Sequence, residues 1–420
     1  MRHRASTLAA TFAVLIATLS GTGALAQTAA EYNAEGVSFY DGGEWKKAID
    51  SFNRALDIEG ESPVIRSNLA NAYQAYAGAF AEAGDHDTAI GLLHQVLPLD
   101  PSNAVPLIQL GAYYLHESMV DDAIFRLEEA VELAPDDIDA HFLLGEAYYK
   151  DNDPISALLQ WQWVEAVDPD REGLAERIEI ASREERVEAD FEGQTSRHFN
   201  VTYDREAESS LVREVLGYLE GAYREIGQTL GRAYPPTPIQ VTLYTLDGFS
   251  ESTQLDAHVG AVYDGSRIRC PVFDRDGERL PADELRRRLY HEYVHVVVRH
   301  ITAENVPWWI NEGLAEALSN ELDETELLFL RRAHHQDALF ALADLTDSQL
   351  GALEVAALNV AYRQSHATVG YLKDRYGARR FATLLAAIAE GEDAELALRR
   401  AFRHSYRTLE LAVADFIENG

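Results

Sequence analysis

The sequence predicts a multidomain fold, with an all-α solenoid of helical repeats first and an α+β domain with a helical C-terminal part after it. Two observations lead to this prediction. The first half of the chain repeats itself with a period of 34 residues, and the second half begins with strand-like alternation and then becomes helical in its periodicity. With 420 residues, of which 47% are apolar, the chain is large enough to bury the cores of two domains.

The N-terminal segment MRHRASTLAATFAVLIATLSGTGALAQ has the features of a secretory signal peptide. Arg2 and Arg4 precede an apolar run over 8–19, and the Ala-Leu-Ala sequence at 24–26 is a small-residue cleavage site. An uncleaved membrane anchor is the alternative interpretation. We expect residues 1–26 to be removed and the mature chain, which has no further stretch long enough to span a bilayer, to be periplasmic or secreted.

The chain is strongly acidic, with 36 Lys and Arg against 70 Asp and Glu and a formal net charge of −34. Loss of two arginines with the signal peptide would change this charge to −36. Such a charge repels nucleic acid and anionic membrane surfaces, so neither is an expected partner. Cys270 is the single cysteine, which excludes an intrachain disulfide and predicts a small buried apolar group in the stretch RIRCPVF.

Residues 27–171 contain about four copies of the 34-residue repeat. Small residues recur at matching positions, as in Gly111 and Gly145 or Ala123 and Ala157, where they let two helices approach closely. The first two copies are 41 residues apart, and the additional seven residues, about two helical turns, predict a longer first helix in the second copy. The pattern resembles the tetratricopeptide repeat, which implies stacked helix pairs with a groove for peptides or partner proteins. The alternative is a spacer that packs on the second domain.

A highly charged segment separates the two halves. Residues 172–195, which include LAERIEIASREERVEADFEG, predict a solvated capping or linker helix, with a domain boundary near Ser196. Within residues 196–420 we expect strands at Phe199–Tyr203, IQVTLYTL and SRIRCPVF, and helices from Ala282 onward.

The segment HEYVH has the spacing of a zinc-binding helix. His291 and His295 lie one helical turn apart on the same face, and Glu292 lies beside the expected metal position, where it can take a proton from water. Glu312 follows in the stretch PWWINEGLAE, 17 positions after His295. Its carboxylate would complete a site with one open position, which is typical of catalytic rather than structural zinc sites. The spacing therefore predicts Zn²⁺ as the cofactor.

This pair of motifs resembles the gluzincin zinc metallopeptidases, and in particular the peptidase MA-like group, over roughly residues 195–420. The resemblance implies that Glu312 is the third zinc ligand, that Glu316 orients a histidine ligand, and that Tyr362 donates a hydrogen bond to the oxyanion of the reaction. The alternatives are a solvated surface role for Glu316 and a core role for Tyr362, with His366 as another candidate donor. The exopeptidase motif of the aminopeptidase branch is absent, so recognition of a free amino terminus is not expected.

We therefore expect an exported zinc-dependent hydrolase of the endopeptidase type that acts on peptides or proteins, with a repeat domain for substrates or partners. An extended peptide would pair with an edge strand at 267–273. Two other functions remain open from the sequence. One is a cell-envelope scaffold or chaperone with a structural or latent zinc site, and the other is zinc-dependent hydrolysis of a bond other than a peptide bond.

Overall fold

The computed structural model describes five stretches of the chain: residues 27–205, 209–255, 259–303, 305–346 and 353–419. The predicted signal peptide at 1–26 lies outside these residues. Within them, none of the helices combines the length and the apolar composition that a membrane span requires.

The first compact unit, Met1–Glu117, holds the first repeats as helices. These helices are α1 (Ala29–Asp41), α2 (Trp45–Glu59), α3 (Pro63–Glu82), α4 (His86–Val96) and α5 (Val105–His116). Because α3 has 20 residues and α1 has 13, the first helix of the second repeat is longer, as its sequence predicts. Gly36 lets α1 and α2 pack closely, since a Cβ atom at this position would lie 2.5 Å from the ring of Phe52.

The second compact unit, Ser118–Gly420, begins with the remaining repeat helices. These are α6 (Val120–Leu133), α7 (Ile138–Lys150), α8 (Pro154–Val167) and α9 (Leu174–Glu188). Pro154 lies in the first turn of α8, where its missing N–H costs nothing, and the Asp153 carboxylate accepts a hydrogen bond from the Ser156 N–H at 3.0 Å. Gly145 of α7 leaves room for the fully buried Trp161 of α8. The first half of the chain is therefore built of helical repeats, as predicted.

A five-stranded sheet, counted over the described residues, follows in the same unit. Its strands are β1 (Glu192–Thr195), β2 (Phe199–Tyr203), β3 (Ile239–Tyr244), β4 (Val262–Tyr263) and β5 (Arg267–Pro271). They lie in the order β1-β2-β3-β5-β4; β2, β3 and β5 are parallel, and β1 and β4 run antiparallel to their neighbours. The predicted edge strand at 267–273 is therefore wrong, because β4 covers β5. The sequence analysis missed β4 because its two residues are too few to show the alternation that identifies a strand.

Helices cover the sheet and continue to the end of the described chain. They are α10 (Ser209–Thr229), α11 (Leu246–Thr253), α12 (Ala282–Thr302), α13 (Trp308–Ser319), α14 (Glu324–His335), a 3₁₀ turn (Leu342–Asp344), α15 (Val355–Tyr376), α16 (Arg380–Ala389), α17 (Ala394–Phe402) and α18 (Tyr406–Asn419). One hydrophobic cluster joins strands and helices, and it includes Phe199 of β2, Tyr293 of α12 and Trp309 of α13. Cys270 of β5 is buried in this cluster as predicted, and burial raises the pKa of its thiol to about 12.

Helix α9 is less solvated than its charge predicts. The sequence analysis expects a solvated capping or linker helix, whereas Glu184 of α9 is 1% exposed. Its carboxylate pairs with Arg267 and Arg269, which alternate along β5 and therefore project from the same face of the sheet. The predicted helix is present, but Glu184 is not solvated, because its partners lie 83 and 85 residues away in the sequence, where a local pattern cannot connect them.

Candidate metal centre

Helix α12 holds the HEYVH segment rigidly. Asp283 and Glu284 lie in its first turn, where negative charge favours the N-terminus of a helix, and Glu284 also pairs with Arg287 and Arg288. The helix ends at Thr302, and the following residue, Ala303, has a left-handed φ of 46°. One side of α12 packs on α10 and on the strands β4 and β5, and another packs on α13. This packing fixes the direction in which the motif side chains point.

The two histidines of the motif face each other on α12. His291 Nε2 and His295 Nε2 lie 3.2 Å apart, and the two rings are nearly perpendicular, with centroids 4.9 Å apart. Both side chains are mostly buried, with 15% and 13% of their surface exposed. The structure therefore brings together the two residues that the sequence predicts as metal ligands.

Helix α13 brings the predicted third ligand to the same point. Glu312 Oε2 lies 3.6 Å from His291 Nε2, and Glu312 Oε1 lies 3.7 Å from His295 Nε2. The position of α13 depends on Gly313, because a Cβ atom there would lie 2.5 Å from the backbone oxygen of Ser365 on α15. The small residue after Glu312 thus lets α13 pack tightly on α15 and directs the carboxylate towards α12.

The spacing of these three groups fits a zinc ion. Tetrahedral ligands at zinc–nitrogen and zinc–oxygen distances of about 2.1 Å lie about 3.4 Å from one another. The three distances between the Nε2 atoms of His291 and His295 and the carboxylate of Glu312 are 3.2, 3.6 and 3.7 Å. Two imidazoles with one carboxylate are also a donor set that zinc accepts. Donor chemistry and spacing therefore agree with the predicted metal.

The charges of the three groups alter their protonation. Burial alone would lower the pKa of His291, but hydrogen bonding with Glu312 and the nearby negative charges of Glu292 and Glu316 raise it to about 9. Burial alone would raise the pKa of Glu312, but His295 and His291 hold it below its ordinary value. The acidic side chains thus make this point of the protein strongly attractive to a cation.

Two side chains contact the outer nitrogen atoms of the histidines. His295 Nδ1 donates a hydrogen bond to Asn311 Oδ1 at 3.0 Å, which leaves Nε2 free to face Glu312. Sequence reasoning missed Asn311, although it lies directly before Glu312 in WWINEG. Glu316 Oε1 lies 3.5 Å from His291 Nδ1, and this buried nitrogen has no hydrogen-bond partner within the described residues. Glu316 therefore lies beside the histidine that the resemblance assigns to it, and its side chain is 21% exposed rather than fully solvated.

Glu292 is 6% exposed and lines the same cavity as the two histidines. Burial raises the pKa of its carboxyl group, against the opposing effects of His291 and His295. The backbone N–H of Tyr263, in the edge strand β4, opposes this rise in pKa as well. The glutamate therefore lies between the ligand group and the edge of the sheet.

Tyr362 lies at the cavity wall and not in the core. The residue is 37% exposed, and its ring packs edge-on against Trp308, with centroids 4.9 Å apart. Burial raises the pKa of its phenol, and the charges of Glu312 and Glu316 add to this effect. His366 differs, because it is 1% exposed and its Nδ1 lies 3.5 Å from Glu326 Oε1. His366 is not among the described residues that line the cavity.

These side chains share one cavity of about 910 Å³. Its lining includes Gly260 to Tyr263 of β4 and the loop before it, and Val355, Leu358 and Tyr362 of α15. The ligand group and Glu292 also line it. The cavity is thus large enough for several residues of an extended peptide, and the candidate metal centre borders it.

Two parts of the chain match known families. Residues 282–419 match the model of the Peptidase MA superfamily, and residues 120–152 match that of the TPR repeat. The helices from the first residue of α12 onward therefore form a Peptidase MA superfamily domain, which follows tetratricopeptide repeats. Proteins of this superfamily are typically metal-dependent. The match begins after the sheet, so the predicted boundary near Ser196 stays a prediction.

Other similarities cover the repeats. A segment of 107 residues is 27% identical to the small glutamine-rich tetratricopeptide repeat-containing protein 2 of Mycosarcoma maydis, and it covers 26% of this chain and 28% of that protein. Matches among solved structures include the MamA protein, which is 20% identical with a TM-score of 0.30, over 37% of this chain and 82% of that chain. Another is pilF of Pseudomonas aeruginosa, which is 21% identical with a TM-score of 0.29, over 38% of this chain and 70% of that chain.

Proposed function

We propose that the chain is an exported zinc-dependent metallopeptidase of the gluzincin type that hydrolyses bonds within peptides or proteins. The observation that supports this proposal most directly is the spacing of 3.2 to 3.7 Å among the ligand atoms of His291, His295 and Glu312, beside the buried Glu292. Structural zinc sites are usually closed by four protein ligands. Within the described residues this group has three members and borders an open cavity, which favours catalysis over a structural role.

Glu292 acts as the general base and then as the general acid. Zinc, when bound, supplies a Lewis acid for the substrate carbonyl and lowers the pKa of water to about 7. The Glu292 carboxylate accepts the proton of the attacking water and later delivers it to the nitrogen of the leaving amine, which restores the carboxylate. Because burial raises its pKa, Glu292 holds a proton more readily than an exposed glutamate does.

Tyr362 donates a hydrogen bond to the oxygen atom that becomes negative when water adds to the carbonyl. Its phenol is protonated at neutral pH, as that of an ordinary tyrosine is, and burial raises its pKa further, so the hydroxyl is available as a donor. Asn311 and Glu316 act on the other side of the ligand group. Asn311 holds His295 Nδ1 through a hydrogen bond, and Glu316 faces His291 Nδ1 at 3.5 Å, so that both rings turn their Nε2 atoms to the metal position.

The substrate is an extended peptide that pairs with the edge strand. Of the described strands, β4 forms the edge of the sheet next to the cavity, and Val262 and Tyr263 line the cavity beside Glu292. An extended chain that lies alongside an edge strand adds to the sheet, and this position would place a peptide carbonyl near the ligand group. The repeats mediate protein–protein interaction and provide binding surface for protein substrates or partners.

The activity is tested with an unfolded protein as the substrate. The purified chain cleaves it at internal peptide bonds, loses this activity after treatment with a chelator, and regains it when zinc is added back. Export is tested separately, by mass spectrometry of the protein from the exported fraction, which gives a chain that begins near Gln27. Cleavage that continues unchanged after complete removal of metal would contradict the proposed mechanism.

A further inference from the structure

The first compact unit contains another group of metal-binding side chains. His86 is the first residue of α4, His116 is the last residue of α5, and Glu117 follows directly. Glu117 Oε1 lies 2.8 Å from His86 Nδ1 and 3.1 Å from His116 Nδ1. The ring centroids of the two histidines are 4.0 Å apart, and one ligand atom from each of the three residues lies within 4.8 Å of the others.

Local structure holds these side chains in place. Asp85 caps α4 by accepting a hydrogen bond from the Thr88 N–H at 3.1 Å, which fixes the first turn that carries His86. The His86 ring lies parallel to that of Tyr113 on α5, with centroids 5.5 Å apart, and only 13% of the His86 side chain is exposed. Because Tyr113 and His116 are one turn apart on α5, the same helix that supports the first imidazole presents the second.

This arrangement is tighter than another histidine pair of the chain. His334 and His335 also face one carboxylate oxygen, but their Nε2 atoms lie 3.9 and 3.1 Å from Glu418 Oε1, so only His335 is close to it. In the first unit both imidazoles lie within hydrogen-bond distance of Glu117 Oε1, at 2.8 and 3.1 Å. Ligand atoms on a tetrahedral zinc ion lie about 3.4 Å apart. The two nitrogen–oxygen distances of 2.8 and 3.1 Å are slightly shorter than this, and all three ligand atoms lie within 4.8 Å of one another, so side-chain movement without a change of the helices would admit the ion.

We propose that His86, His116 and Glu117 form a second site for a transition-metal dication, with zinc as the expected ion. Two imidazoles and a carboxylate favour zinc, nickel or copper over calcium and magnesium, which prefer oxygen ligands. The site joins α4 to α5, so the bound ion stabilises the contact between these helices. His116 and Glu117 are 66% and 38% exposed, which leaves the remaining coordination positions open to water. The net charge of −34 favours cation binding throughout the chain.

The test is a stepwise zinc titration of the metal-free full-length chain, with bound zinc measured after dialysis. His116→Ala binds one zinc ion fewer per chain than the wild type. His335→Ala is the matched control, because this histidine is 68% exposed and also pairs with a glutamate, and it binds as many ions as the wild type. Equal zinc content in His116→Ala and wild type overturns the proposal. The comparison holds whether or not the site on α12 and α13 binds zinc.

A residue-level readout completes the test. Diethyl pyrocarbonate modifies accessible histidines, and mass spectrometry locates the modified residues. Zinc protects His86 and His116 from modification in the wild type, and Glu117→Gln weakens this protection. If zinc leaves the modification of His116 unchanged, the site does not exist. If zinc protects His86 and His116 equally well in Glu117→Gln and wild type, Glu117 is not a ligand of the ion.

Discussion

Glu184 and Arg267 form an ion pair that is almost completely buried. Arg267 Nη2 lies 2.8 Å from Glu184 Oε2, and the two side chains are 3% and 1% exposed. Glu188 adds a contact of 2.8 Å to Arg267 Nη1, and Arg269 contacts both Glu184 and Asp264. Helix α9 thus supplies the counter-charges for two arginines of β5, the strand that pairs with the cavity edge strand β4.

From this ion pair we expect that the second compact unit folds only when α9 is present. A chain that begins at Ser196 lacks α9, and with it the Glu184 and Glu188 carboxylates that contact Arg267 and Arg269, so that only Asp264 remains as a partner of Arg269. Loss of a buried partner costs about 3–5 kcal/mol. A chain that begins at Ser118 retains the second compact unit. Circular dichroism and zinc content should show a folded, metal-binding protein for the chain from Ser118 and not for the chain from Ser196. Equal folding of both would mean that α9 is dispensable.

Replacement of the buried carboxylate tests the same contact without truncation. Glu184→Gln should lower the free energy of unfolding by about 3 kcal/mol, because it removes the buried charge that two arginines share and leaves them only Glu188 and Asp264 as counter-charges. Glu179→Gln on the same helix is the control; its side chain is 77% exposed, and we expect a change within about 0.5 kcal/mol. Denaturant unfolding followed by fluorescence measures both. Similar values for the two variants would show that the buried pair does not stabilise the fold.

The contact between Asp264 and Arg269 predicts a pH dependence. Burial alone would raise the pKa of Asp264, but the charge of Arg269 and the backbone N–H groups of Arg267 and Ser266 hold it below its ordinary value. A depressed pKa stabilises the fold above the unfolded value of about 3.9, and this contribution disappears as pH falls through the folded pKa. Asp264→Asn should therefore be less stable than wild type at neutral pH, and the difference should shrink in acid.

Thermal unfolding at a series of pH values checks this prediction. The exposed Asp276→Asn is the control, and its difference from wild type should not depend on pH in this way. If the stability difference between Asp264→Asn and wild type stays the same at the lowest pH measured, the Asp264 carboxylate does not stabilise the fold through its charge.

Tyr362→Phe tests the proposed hydrogen bond to the oxyanion. Loss of one such donor should lower kcat by about 100-fold and change KM little, because the interaction forms only as the carbonyl oxygen becomes negative. Zinc content should not change. Tyr371→Phe, on the same helix α15 but packed against Phe416 and His404, is the control and should keep full activity. A rise in KM alone would instead assign Tyr362 to substrate binding.

The sequence predicted the local features of the candidate site and missed those that depend on distant contacts. His291, Glu292 and His295 follow from helical spacing alone, and the structure places them on one helix. Glu312 required a second motif, because its distance from α12 is set by the packing of Gly313 on α15. The role of Asn311 could not be predicted from the sequence. It depends on the contact of its side chain with His295 Nδ1, which only the packing of α13 on α12 brings about.

Prediction of the fold from the sequence has the same limit, since features that depend on distant contacts are missed. Repeat helices and the long helix α3 follow from the period of the sequence, whereas β4 is too short to show a pattern and is defined only by its pairing with β5. The burial of Glu184 in a highly charged helix could not be predicted, because charged side chains are buried only where distant partners neutralise them.

The most direct test of the proposed function is Glu292→Gln. This change keeps the size of the side chain but removes its ability to accept a proton, and loss of a general base lowers turnover by about 100-fold or more. The same sample is assayed for bound zinc and for cleavage of an unfolded protein. We predict zinc content equal to wild type and turnover lower by at least about 100-fold. Equal turnover in Glu292→Gln and wild type would contradict the proposed role of Glu292 as the general base.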